Sequence, residues 1–150
     1  MGYKRLTIKD SKMKHLYYML CLLCCTFLLS SCKMADENGD LDGMWQLTEW
    51  RDAAGQTVPF NKGELYYCFQ LKLLKFQSAK RDSYYLSYFS HTGDILQIGK
   101  TVEWPSEEER PLSELAPFGA PSDGRFHIDL LTGSHMQLST GESVLLFRKY

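Results

Sequence analysis

The chain has 150 residues, enough for one domain with a core of its own. Hydrophobic residues make up 44% of it and charged residues 23%, a balance that excludes a disordered or collagen-like chain. The formal charge of −1 hides a split, because Lys4, Arg5, Lys9, Lys12 and Lys14 face one acid, Asp10, at the start, and residues 16–32 carry no charge. Without residues 1–31 the chain keeps 12 basic and 17 acidic side chains, a formal charge of −5. Phosphate binding needs a basic face, so a mildly acidic domain argues against a nucleic-acid partner.

The basic stretch leads into LYYMLCLLCCTFLL, residues 16–29, an apolar run of 14 residues. A membrane-spanning helix needs about 20 such residues, so this run fits the hydrophobic region of a secretory signal helix instead. Met13 followed by KHLYYML has the form of a signal start and is preferred over Met1 as the true beginning. The run ends in Leu29-Ser30-Ser31-Cys32, which resembles the lipobox of bacterial lipoproteins: an aliphatic residue, two small residues, then Cys. The resemblance implies cleavage between Ser31 and Cys32 and a lipid carried on Cys32. It also implies a partner, the membrane, and a place, the cell envelope, as an outer-membrane lipoprotein on the periplasmic face or the cell surface.

Five cysteines are present, and cleavage would remove Cys21, Cys24 and Cys25. With Cys32 lipidated, only Cys68 stays free, so no intramolecular disulfide is available. Cys68 lies in an apolar strand pattern and reads as a small buried hydrophobe. Residues 32–42 are polar and acidic, the composition of a flexible tether. Asp36 and Glu37 resemble the acidic surface-export signal of Bacteroidetes-type lipoproteins, with a plain solvated linker as the alternative.

From Gly43 to Tyr150 the pattern is β. In GMWQLTEWRD, Trp45 and Leu47 share one face, and Trp50 breaks the alternation, which predicts a bulge or the strand end near Glu49. Residues 65–77 read as one strand with Tyr67, Phe69, Leu71 and Leu73 on one face. Further strands are predicted over 83–90, with Tyr84, Leu86 and Tyr88 aligned, and over 95–104, 125–131, 135–139 and 143–150. Turns fall at HTGD (91–94), Gly133 and Gly141-Glu142. Residues 105–124 hold four of the five prolines and read as an interruption, in which Ser113 to Phe118 fits one helical turn. Seven or eight closely spaced strands point to an all-β fold, a small antiparallel barrel or sandwich.

The LDGMWQL opening behind a lipoprotein tether, and the MQLST…SVLLFRKY close, resemble the lipocalin-like lipoproteins of Bacteroidetes-type bacteria. The resemblance implies a lipocalin-like β-barrel of seven to eight strands over 43–150. It implies that Trp45 of the Gly-x-Trp element packs across the closed end, with Arg148 as the basic residue over it. A small apolar ligand or an envelope protein is the implied partner. The alternative is an accessory or structural lipoprotein with a filled barrel.

No constellation in the sequence carries chemistry. His91, His127 and His135 are dispersed and lack ligand spacing, so no metal is expected. Glu107 to Glu109 form a solvated charge run without the alternate spacing of a calcium loop. Ser134 stands outside any GxSxG elbow, and no phosphate-binding Gly loop is present. The expectation is a non-enzyme without a cofactor. Aromatic residues crowd two neighbouring strands, and Tyr67, Phe69, Tyr84 and Tyr88 are candidate pocket-lining residues, with core packing as the competing reading.

Overall fold

The computed structural model describes residues 14, 15, 18–20 and 37–150. The described residues before 37 are helical. The cleavage site at Ser31 and Cys32, and most of the signal, lie outside the described residues. No helix of the described residues is long and apolar enough to cross a membrane.

Residues 36–150 form one compact unit. Its nine strands are β1 (Gly43–Asp52), β2 (Leu65–Gln70), β3 (Leu73–Ser78), β4 (Tyr84–Thr92), β5 (Ile95–Trp104), β6 (Glu108–Arg110), β7 (Arg125–Leu131), β8 (His135–Ser139) and β9 (Ser143–Lys149). The order β4-β3-β2-β1-β9-β8-β7-β5-β6, with β4 also paired to β5, closes a ring. All pairings are antiparallel, and all but the β1–β9 closure and β5–β7 join chain neighbours. Eight strands make the ring. The short β6 lies outside it, on the half of the β5 edge that β7 leaves free.

Closure removes the sheet edges that an open meander would expose. A barrel of about eight strands has an interior just wide enough for side chains to fill. The period-two pattern supplies those side chains. Trp45 and Leu47, Tyr67 and Phe69, Leu74 and Phe76, Tyr85 and Phe89, Leu96 and Ile98, Met136 and Leu138, and Leu145 and Phe147 all point inward and are buried. Of the two readings near Glu49 the structure has the bulge, as a register shift between Leu47 and Glu49, and β1 runs on to Asp52.

Two sequence expectations are corrected. Residues 65–77 are not one strand but the β2–β3 hairpin, turning at Leu71 and Lys72. Leu71 takes a left-handed backbone, φ 55°, unusual without glycine, and the Asn38 side-chain amide donates to its carbonyl at 2.7 Å. The turn shifts the phase, so Leu74 and Phe76 fill the core while Leu71 and Leu73 face out. The second correction concerns the tether. Gly39–Leu41 form a 3-10 turn whose Leu41 is fully buried, so residues 38–42 belong to the barrel.

Residues 105–124 also do more than interrupt. They form β6 and a second 3-10 helix, Leu112–Phe118. This helix lies across the end of the barrel opposite the Gly39–Leu41 turn, with Leu115 and Phe118 in the core.

Candidate functional site

At the N-terminal end, the Trp45 indole N–H donates to the Leu41 carbonyl at 2.8 Å, which ties the turn down as a plug. A cation does lie over Trp45, but it is not Arg148. Lys149 Nζ sits 5.0 Å from the ring centroid and donates to the Asp40 carbonyl at 3.0 Å. Arg148 is exposed. Strand parity explains the exchange: Phe147 points into the barrel, Arg148 points out, and Lys149 at the strand end folds over the rim. Gly43 makes room for this. Its φ is 123°, and a Cβ there would lie 2.8 Å from Lys149 Cε.

Tyr67 occupies the middle of the barrel. Its ring lies 4.7 Å from those of Phe76 and Phe147 and 6.3 Å from that of Phe126. Its hydroxyl donates to the Phe118 carbonyl at 2.8 Å, and burial pushes the phenol far above its ordinary range, so it stays a neutral donor. Phe69 meets Phe89 edge-on at 5.3 Å. The inward polar pair Ser87 and Thr101 satisfies itself at 2.7 Å. Tyr67 and Phe69 therefore fill the interior rather than line a pocket.

Tyr84 and Tyr88 are on the other side of the wall, because their parity in β4 is opposite to that of Tyr85 and Phe89. Tyr84 stacks on Trp104 at 6.3 Å, with Lys75 Nζ 4.4 Å from its centroid, and Tyr88 is 60% exposed. The four candidate pocket residues do not converge. Cys68 is also on the outer wall, half-buried beside Lys75 rather than in the core, and burial raises its thiol. It helps line a shallow groove of about 300 Å³ with Leu71, Leu73 and Leu86.

The lid end is held by charge as well as packing. Arg110 contacts Glu103 at 2.7 Å and Glu108 at 2.9 Å, and Tyr85 donates to Glu114 at 3.3 Å. Gly119, just after the lid helix, has φ 84°, and a Cβ there would meet Leu145 Cδ2 at 2.8 Å. Of the histidines, His127 is the one in a charged cluster, between Asp94 at 2.5 Å and Asp129 at 2.8 Å. The hydrogen bond to Asp129 is the main cause that raises its pKa, with Asp94 adding to it. Asp129 is lowered against its own desolvation by hydrogen bonds from Gln137, His127 and Ser139. Both imidazole nitrogens are engaged, which leaves none for a metal. No group of three or more potential metal ligands occurs among the described residues.

A closed antiparallel meander with a Gly-x-Trp plug at one end defines a small lipocalin-type barrel. The family model for a lipocalin-like domain matches residues 27–150, and the chain belongs to that family. Its fold is similar to that of a lipocalin-like protein from Bacteroides uniformis ATCC 8492, at 22% identity and a TM-score of 0.57, covering 75% of this chain and 100% of that one. An uncharacterized protein from Bacteroides eggerthii DSM 20697 is similar at 24% identity and a TM-score of 0.54, covering 73% and 98%. No curated protein matches the chain. The likeness to the solved structures is one of fold. That fold suggests a ligand-binding or a structural role and is typically non-enzymatic.

Proposed function

We propose that the protein is a lipid-anchored accessory protein of the cell envelope, held by Cys32, whose barrel is a filled scaffold that carries no small ligand. The observation that supports this most is Tyr67, which occupies the barrel centre and is hydrogen-bonded to the lid at Phe118. A ligand carrier of this fold needs a hollow interior, and here both ends are plugged and the space between is taken by buried rings. The anchoring rests on the Leu29-Ser30-Ser31-Cys32 motif behind a basic and apolar leader. Whatever the protein meets, it meets on its outer surface.

Membrane fractionation with mass analysis of the N-terminal peptide tests the anchoring. The expected result is an acylated Cys32 in the membrane fraction and a soluble Cys32→Ser variant. An unmodified Cys32, or a Cys32→Ser protein still held in the membrane, would overturn it.

A further inference from the structure

The barrel has six exposed large hydrophobic residues, and five of them gather at the end that the Gly39–Leu41 turn closes. Leu71 is in the β2–β3 turn, and Leu73 begins β3 with Tyr88 as its cross-strand partner. Leu130 is the penultimate residue of β7, and Tyr150 follows β9. Their exposures run from 38% for Leu73 to 73% for Tyr150. The sixth, Trp104, lies towards the lid and is stacked on Tyr84. A soluble barrel rarely leaves so much apolar surface around one rim without a use for it.

The same end receives the chain from Cys32. Asn38 is fixed there by its bond to the Leu71 carbonyl, among the exposed residues themselves. Five residues separate Cys32 from Asn38, six steps along the chain, which fully extended span at most about 20 Å. A lipid on Cys32 would therefore hold the apolar rim within reach of the bilayer interface and keep the lid end away from it.

We infer that the plugged rim of the barrel, with Leu71, Leu73, Tyr88, Leu130 and Tyr150, rests in the interfacial layer of the membrane that Cys32 anchors. The inference rests on the lipidation proposed above. Tyr suits the position, since its ring enters the headgroup layer and its hydroxyl stays wet. The rim carries Lys72 and Lys149 beside Glu37, Asp40, Asp42 and Asp94, an acidic excess with no attraction for anionic lipid, so the contact is apolar rather than a charge attraction. It also adds a second hold to the lipid and sets the orientation of the barrel.

The test uses the full-length lipidated protein in vesicles of phosphatidylethanolamine and phosphatidylglycerol, in a Cys68→Ser background. An environment-sensitive fluorophore is placed at Tyr88→Cys, at Leu130→Cys on another part of the wall, or at Glu142→Cys in the β8–β9 turn of the lid end. The expected result is a blue shift, and a loss of intensity to spin-labelled lipid, at Tyr88→Cys and Leu130→Cys. Glu142→Cys should respond to neither, and raising the salt should change nothing. An acylated protein that floats with its vesicles but whose three probes are equally wet would overturn the rim contact alone. An N-terminal peptide without an acyl mass would overturn the anchoring and this inference with it.

Discussion

The two ends of the barrel are closed by different means. At one end a single 3-10 turn plugs the ring, held by the Trp45 indole, the Leu41 side chain and the reach of Lys149. At the other, a helix rich in neighbouring prolines lies across the opening, pinned by Leu115, Phe118 and by Glu114, which meets Arg110 and the Tyr85 hydroxyl. The plug is packing plus hydrogen bonds from Trp45, Lys149 and Asn38 to backbone carbonyls, and the lid is packing plus a charged skirt. The plug should therefore answer to mutation and little to salt, whereas the skirt of the lid should answer to both. With both ends shut, the space between them is core.

The largest effect should come from Trp45→Ala, which removes the ring under the plug and should cost about 3–5 kcal/mol in denaturant unfolding. A loss under about 1 kcal/mol would contradict the packing described for that end. Phe118→Ala should cost about the same at the lid and open a dry cavity beneath it. Binding of a small apolar dye to Phe118→Ala and not to the wild type would show that the lid closes the interior.

Next comes a pair of substitutions at the plug. Lys149→Met should cost about 1 kcal/mol through the lost cation–aromatic contact and its carbonyl bond, while Arg148→Met stays within about 0.5 kcal/mol of wild type. The reverse order would restore Arg148 as the cation over Trp45. The smallest effect concerns pH. His127 gains its carboxylate partners on folding, so its pKa is raised, and its contribution is full below the ordinary histidine value and fades as pH rises through the raised one. Asp129 is lowered, so its contribution is lost as pH falls through its depressed value. A nuclear magnetic resonance titration should place His127 above the ordinary histidine value, and Asp129→Asn should bring it down.

The role of Trp45 at the closed end was legible in the sequence, whereas the Gly39–Leu41 turn it holds, expected as tether, and the docking of the lid helix were not, for a physical reason. Gly43-x-Trp45 is a local motif in which the glycine and the indole act within three residues, and alternation gave the inward face of most strands. Phe118 and Gly119 act on Tyr67 and Leu145, which no local pattern connects to a proline-rich stretch. The β2–β3 hairpin escaped for a related reason. Its Leu71-Lys72 turn has no turn residue and is stabilised by Asn38 from far up the chain. One missed turn moved Leu71 and Leu73 from the expected core to the exposed rim. The cation over Trp45 was missed by a single residue, which along a strand is enough to change faces. The pocket candidates failed because aromatic content alone does not separate Tyr67 in the barrel centre from Tyr88 on its wall.

The central claim is that the barrel is filled, and the most direct measurement is methyl-resolved nuclear magnetic resonance under xenon, which enters dry apolar cavities. The account predicts that the methyls of Leu47, Ile98, Leu138 and Leu145 do not move in the wild type. It predicts saturable shifts of the Leu145 methyls in Phe118→Ala, where the lid no longer fills the space above them. Saturable shifts of the interior methyls in the wild type would contradict the filled barrel and return the protein to the ligand carriers of its fold.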